Sequence, residues 1–386
     1  MPSADARRKR GGLSRIDRMS LILRRKRAAA AAKAAGMESL LVTHLPDVRW
    51  LSGFTGSNAA LVLDSGRKGR TAGRAVLFTD GRYTTQAKAE AAGMKVVIAR
   101  KSAAIAASEW MGEARIRRCG FDEGNTTVAD LANLRKALPA AVRRKMFEPV
   151  GFLVAKLRWV KDAEEIQRMR AAAALGCRLF EGALKTMQPG MTETAVAAEL
   201  EYAARLAGAE AMSFPTIVAS GPRSALPHGR ATRAKLPKRG FVTLDFGVVL
   251  DGYCSDMTRT VHMGGAGAGE RDAYNAVLEA QKTAVAAVRA GVTAGEVDEA
   301  ARGVLRRAEL DKWFTHSTGH GVGLEIHEGP RLAAKQTQAL EAGMVITIEP
   351  GIYMPGKFGV RIEDMVLVTA KGGEILTPST KAWIEL

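Results

Sequence analysis

The sequence predicts an α+β chain: a mixed α/β domain over about residues 14–147, then a pseudo-twofold domain over 155–386 with curved antiparallel sheets inside and helices outside. Three observations carry this. The 386 residues are too many for one average domain and enough for two with full cores. In the first third, short apolar runs with strand character alternate with helical stretches. In the remainder, PGMTETAVAAELE at 189–201 and AGVTAGEVDEAAR at 290–302 repeat one another, with Gly190 on Gly291, Thr192 on Thr293 and Val196 on Val297.

Taken in order, Ser14 is placed to cap a helix, with Asp17 three residues later and Ile16, Met19 and Leu23 at helical spacing. The Ala-rich stretch 28–35 continues that helix to a stop at Gly36. Strands follow at 39–44 and 59–64, flanking the turn-rich GFTGSN, then at 75–80 and, after a helix, at 95–100. A break near Glu148-Pro149 and the polar helix start LRWVKDAEEIQRM open the second domain. There each repeat copy lies between helices and is followed by a strand pair. FVTLDFG and MVITIEPG open those pairs, which sets Asp245 against Glu349 and puts Asp256 and Glu363 on the second strand of each. PHG at His228 has its counterpart in IHEG at His327. Asp251-Gly252 is a two-residue hairpin signal, and with that turn Asp245 faces Thr258 while Asp256 is its diagonal neighbour on the same face. By the period of two, Thr347 shares a face with Glu349, and Arg361 with Glu363.

Composition narrows the function. Apolar content of 47% and charged content of 25% belong to a soluble globular protein, and no run of about 18 uncharged apolar residues predicts a membrane span. The net charge of +17 is uneven: residues 1–27 hold ten Lys/Arg against two Asp, a net +8. With 5% aromatics and no recognition motif, this is a solvated basic segment running into a helix rather than a nucleic-acid surface. RRKR at 24–27 interrupts any secretory apolar region; an Arg-rich organellar transit peptide stays open as an alternative. Cys119, Cys177 and Cys254 are odd in number and widely spaced, which fits a reducing cytosol, and the expected location is cytoplasmic.

The chemistry lies in Asp245, Asp256, His320, Glu349 and Glu363, each in a segment that otherwise reads as buried strand or glycine-rich turn. A buried carboxylate costs several kcal/mol unless a cation compensates it. Four negative charges match two divalent ions, which points to a dinuclear metal hydrolase with a bridging aspartate. Glycines around His320 let the backbone approach closely and open the imidazole to a metal. Oxygen-rich coordination with one His suits Mn²⁺ best, with Co²⁺, Fe²⁺ or Zn²⁺ compatible. No HExxH, GxGxxG or GxSxG pattern is present. His44 and His262 read as structural; His316, four before His320, is expected behind the ligands, with a plain loop position as the alternative.

This constellation resembles the five metal ligands of the pita-bread metallopeptidases, and within them the proline-specific branch of Xaa-Pro aminopeptidase and prolidase. The resemblance includes His228, His327, and LPDVRWLSGFTGSNAALVL with LFTDGRYTTQA in the first domain, so it covers most of the chain beyond about residue 38. It implies a creatinase-like N-terminal domain and two metal ions that activate a water against the carbonyl preceding proline. Asp245 would hold one ion, Asp256 and Glu363 would bridge both, and His320 and Glu349 would complete the other. Glu349 would take the water's proton, His228 and His327 would bind substrate and stabilise the oxyanion, and Arg361 would orient the carboxylates. Tyr353 would lie near Arg361, close to the substrate, and Arg331 would contact the substrate's C-terminal side. The implied partner is a proline-containing peptide, and a homodimer is expected. The N-terminal motifs place Xaa-Pro aminopeptidase ahead of Xaa-Pro dipeptidase. Relatives of this fold that bind partners without hydrolysis have lost metal ligands, and all five are present here.

Overall fold

The computed structural model describes residues 15–66, 71–91 and 93–386; Ser14, the expected first cap, lies outside them. The chain divides into two compact units, 1–158 and 159–386. The first unit opens with α1 (Arg15–Ala34), which stops where Gly36 adopts φ +77°, a conformation that costs glycine little. Its mixed six-stranded sheet comprises β1 (Ser39–Val42), β2 (Ala59–Asp64), β3 (Ala75–Asp80), β4 (Lys95–Ala99), β5 (Cys119–Phe121) and β6 (Phe147–Pro149) in the order β4-β3-β2-β1-β5-β6. The predicted strands are therefore present, together with β5 and β6, which are three residues each and too short for a periodicity signal. Between β1 and β2 lies α2 (Leu45–Ser52), an element not among the predicted ones: Pro46 sits in its first turn and Gly53 closes it at φ +80°. Helices α3 (Thr84–Glu90), α4 (Ala103–Glu113) and α5 (Val128–Lys136) complete the unit, and α6 (Leu153–Trp159) follows. Arg158 and Asp47, both buried, pair at 2.5 Å and anchor α2 to α6.

In the second unit the sequence repeat is a physical one. Gly190 and Gly291 both take φ +90°, and Thr192 and Thr293 then cap α8 (Glu193–Leu206) and α10 (Ala294–Arg307) through their hydroxyl oxygens. Each capped helix packs beside a long partner, α7 (Ala163–Thr186) or α9 (Ala268–Ala287). Each half buries its own core: Val196, Leu200, Val242 and Leu244 in one, Val297, Leu305, Ile346 and Val366 in the other. Full burial of one such side chain stabilises by about 1.5–3 kcal/mol.

The strands also correspond. In the first half β7 (Ala211–Met212) and β8 (Ile217–Ser220) precede a broken hairpin of β9 (Gly240–Phe246), β10 (Val248–Leu250), β11 (Tyr253–Cys254) and β12 (Met257–Met263). β9 pairs with β12 and β10 with β11, around a turn in which Asp251 and Gly252 both have positive φ. The pairing sets Asp245 opposite Thr258, the register expected from Asp-Gly. In the second half β13 (Gly319–Gly321) and β14 (Glu328–Leu332) precede β15 (Val345–Ile348), β16 (Gly351–Met354), β17 (Phe358–Arg361) and β18 (Asp364–Val368). β15 pairs with β18 and β16 with β17, and β19 (Gly373–Ile375) extends the edge.

One expectation needs correction. Asp256 and Glu363 do not lie within second strands; they occupy the breaks between β11 and β12 and between β17 and β18. At each break the chain transfers from one strand partner to another, and such an interruption re-aims a side chain that a regular pleat would send elsewhere. The halves join at the same place. Thr258 Oγ1 donates to Glu363 Oε2 at 2.7 Å, and Glu363 N donates to Thr258 O. On β12, the buried Arg259 donates to Asp364 Oδ1, to the carbonyls of Thr377, Ser379 and Thr380, and to that of Glu363.

All three cysteines are buried as free thiols, and burial pushes the Cys119 thiol up to about 12. A thiol titration of the native protein is therefore expected to read close to zero, rising to three on unfolding; a fast-reacting thiol before unfolding would contradict this packing.

Candidate metal centre

The four carboxylates converge because each lies at or next to a strand interruption. Asp245 is two residues before the break at Gly247, where an added Cβ would lie 1.7 Å from Ser255 O. Only glycine permits that approach, and it brings the Asp256 turn against β9. Glu349 follows β15, its N–H held by Thr318 O and one oxygen accepting from Thr347 Oγ1 at 3.3 Å. His320 lies on β13, where an added Cβ on Gly319 would fall 1.9 Å from Thr347 O. His320 Nδ1 is 2.9 Å from Gly321 O, which leaves Nε2 directed at Glu349 Oε1 (3.5 Å) and Asp256 Oδ2 (3.6 Å). Ligand atoms of Asp256, His320 and Glu363 all lie within 4.8 Å of one another.

The electrostatics are unbalanced. Burial, then the charges of Glu363, Asp245 and Glu349, hold the Asp256 carboxyl well above the usual carboxylate range. Burial, then Glu349 and Asp245, do the same to Glu363, and burial pushes Glu349 up to about 8. Burial also pulls the His320 ring down to about 4, so at neutral pH it is an uncharged ligand and not a counter-ion. The cation placed against the cluster is the buried Arg361, 2.5 Å from Asp245 Oδ2, with Tyr353 OH at 2.6 Å, Thr258 Oγ1 at 3.1 Å and Pro227 O at 3.1 Å as further acceptors. One guanidinium cannot neutralise four carboxylates. Moreover Asp245 Oδ1 and Asp256 Oδ1 are buried without a hydrogen-bond partner, an expensive state for an oxygen that receives no cation. Orphaned oxygens, mutually raised carboxyls and one neutral imidazole together fit a divalent cation of the oxygen-preferring kind.

This cluster floors a cavity of about 620 Å³. His228, His316, His327, Arg331 and Arg361 line it with the cluster, as do Phe214, Pro215, Ile217 and Ile326. The His320 and His327 rings meet edge to face at 4.5 Å, and burial, then His228, lowers the His327 ring's proton affinity. Tyr353 is not among the lining residues: buried behind them, it accepts from Arg361 and lies 2.8 Å from His316 Nε2. His316 lies in the cavity wall, its Nδ1 2.8 Å from Ser317 O and its Nε2 on Tyr353. His44 and His262 are elsewhere, beside Asp47 and Gly264. Arg230 and Glu328 also line the cavity and escaped sequence reasoning. Arg230 carries no spacing signal beyond following PHG, while Glu328 is paired with the buried Lys161 at 3.0 Å.

A carboxylate-rich set with one histidine, at the floor of an open cleft, belongs to the metal-dependent hydrolases. Comparison with known proteins narrows the class. Residues 167–370 match the model of metallopeptidase family M24, and residues 24–160 match the creatinase/prolidase N-terminal domain. The chain belongs to metallopeptidase family M24. It is 43% identical over 61% of its length to 68% of an Xaa-Pro dipeptidase of Pyrococcus furiosus. Among solved structures it is similar to an Xaa-Pro dipeptidase from Bacillus anthracis (TM-score 0.89, 38% identity, 95% of this chain and 100% of that one). It is also similar to an X-Pro aminopeptidase from Thermotoga maritima (TM-score 0.83, 33% identity, 92% and 99%). The architecture is accordingly the pita-bread fold preceded by a creatinase-type domain. Among the described residues no helix is long and apolar enough to cross a membrane.

Two outcomes follow for the metal-free protein. The folded-state pKa of Glu349 exceeds its unfolded value, so the folded state holds an extra proton between about pH 4.5 and 8 and loses stability as pH rises through that window. Chelator-treated protein should melt lower at pH 8 than at pH 5.5, and the reverse order would contradict the buried cluster. Asp256→Asn removes one repelling charge, so in chelator it should melt no lower than wild type. Titrated with Mn²⁺, the variant should show less than half the wild-type rise in Tm; an equal rise would take Asp256 out of the ligand set.

Proposed function

We propose that the chain is an Xaa-Pro dipeptidase, cleaving the bond between an N-terminal residue and a C-terminal proline. The observation that carries this is the cavity itself, where a divalent-metal donor set, three further histidines and three arginines meet within one largely apolar open cleft. Similarity to dipeptidases at 43% and 41% identity, and to several prolidase structures, supports the dipeptidase over the aminopeptidase, the reverse of the order the N-terminal motifs suggest. The aminopeptidase remains the second reading, favoured by the similarity to the Thermotoga protein.

Asp245, Asp256, His320, Glu349 and Glu363 would hold two divalent ions, for which Mn²⁺ suits the donors best. When bound, such ions supply a nucleophilic water at neutral pH and polarise the scissile carbonyl. Glu349, at the cavity floor beside His320, is placed to receive the water's proton and pass it to the proline nitrogen. That transfer matters because the X-Pro amide nitrogen carries no proton and leaves as a secondary amine. His228 and His327 would hold the substrate and donate to the developing oxyanion. Arg361 keeps Asp245 aimed through Nη2, while Nη1 donates to Tyr353 and Pro227 and Nε to Thr258. Arg331, on β14 opposite His320, would meet the substrate's C-terminal side.

Purified protein with Mn²⁺, offered Ala-Pro, Ala-Pro-Ala and Ala-Ala-Ala, should hydrolyse the first at least about tenfold faster than the second and leave the third intact. Preferential release of alanine from Ala-Pro-Ala would instead establish the aminopeptidase. Inactivity on all three would overturn both. Glu363→Ala should lower kcat by about a thousandfold or more, as loss of a metal ligand requires.

A further inference from the structure

Glu193 and Asp298 are fully buried acids, one on each repeat helix, and neither lines the cavity. The repeat aligns Glu193 with Ala294, one helical turn before Asp298, so the two are not copies of one position. Each nevertheless accepts hydrogen bonds from the segment that carries a site histidine of its own half. We propose that both are positioning residues for the reaction: Glu193 aims the substrate-facing His228, and Asp298 aims the metal-facing His320 and Glu349. This rests on the peptidase reading and the roles it gives those three side chains, and adds a division of labour between two acids that touch neither metal nor substrate.

Glu193 Oε1 accepts from the amide and the hydroxyl of Ser220, both at 2.9 Å. Its Oε2 accepts from the amide of Thr232 at 3.0 Å and from the hydroxyl at 2.7 Å. Arg223 Nε donates to both oxygens, while its Nη2 reaches on to Arg230 O. One carboxylate therefore pins both ends and the interior of segment 220–232. The middle is held from the other side, where Arg361 Nη1 donates to Pro227 O at 3.1 Å. His228 depends on this support. Among the described residues its exposed ring has no hydrogen-bond partner, so the main chain alone sets where it stands in the cavity wall.

Asp298 Oδ1 accepts from the amide of Thr318 at 3.1 Å and from its hydroxyl at 2.8 Å, two residues before His320. The carbonyl of Thr318 in turn accepts from Glu349 N at 2.7 Å. A single threonine thus ties Asp298 to both metal-facing groups. Asp298 also binds Arg302, whose guanidinium donates to the carbonyls of Phe314 and His316. The two acids share no partner: Glu193 holds the substrate side and Asp298 the metal side. Replacing either by its amide turns one acceptor into a donor that faces other donors, which loosens one segment and leaves the other in place.

The test compares full-length wild type, Glu193→Gln and Asp298→Asn in two readouts. One is calorimetric titration of the chelator-treated protein with Mn²⁺. The other is kcat/KM with Mn²⁺ in excess, on whichever of Ala-Pro and Ala-Pro-Ala the wild type cleaves. Glu193→Gln should lose about ten- to a hundredfold in kcat/KM while its Mn²⁺ affinity stays within about twofold of wild type. Asp298→Asn should bind Mn²⁺ about ten- to a hundredfold more weakly, and with Mn²⁺ in excess its kcat/KM should return to within about threefold of wild type. Should either amide variant fail to fold, Thr232→Val and Thr318→Val each remove one hydroxyl from the same acids and should show the same split at smaller size. Loss of thermal stability alone, or a fall of both readouts together in either variant, overturns the proposal, since a merely structural acid would give one or the other. Wild type that cleaves neither peptide overturns the peptidase reading and the assignment of Glu193 with it, while the Mn²⁺ titrations still decide Asp298.

Discussion

The repulsion among three buried carboxylates and a fourth that is partly buried, Glu349, constrains the second unit of this molecule. Asp245, Asp256, Glu349 and Glu363 lie against one guanidinium, that of Arg361, and a histidine that burial keeps neutral. In water such charges would separate; here they are held by strand breaks in two sheets and by a direct hydrogen bond between the halves, Thr258 to Glu363. The fold pays for that arrangement in its metal-free form and recovers it through whatever cation the cluster takes up.

The duplicated plan explains why the site lies where it does. Each half contributes a sheet, two packed helices and two of the four acids to one cleft. The histidine of β13 has no counterpart in the first half, so the two sides of the cluster are chemically unequal. Apolar side chains such as Phe214 and Ile326 give the cleft its apolar walls.

Much of this was legible in the sequence, for physical reasons that differ by element. The repeat was readable because it rests on backbone chemistry: a positive-φ glycine followed two residues later by a threonine cap. The Asp245–Thr258 register was readable because Asp-Gly dictates a two-residue turn. The acidic cluster was readable because charge in an apolar strand demands a reason. The strand breaks at Asp256 and Glu363 were not, since they arise from partner exchange between strands distant in sequence. Nor was α2, whose eight residues carry too few turns for a periodicity. Arg230 was not readable as a cavity residue because nothing in its spacing sets it apart.

Arg259 has a consequence for how the protein is made. It sits in the middle of β12, in the first half of the domain, yet the groups that accept its hydrogen bonds include Asp364, 105 positions downstream, and the carbonyls of Thr377 and Ser379, 118 and 120 positions downstream. As the chain emerges from the ribosome in the N-to-C direction, β12 must wait with an unmatched cation in its interior until those segments arrive. The full set of hydrogen bonds on β12 therefore forms only after the second half has been made.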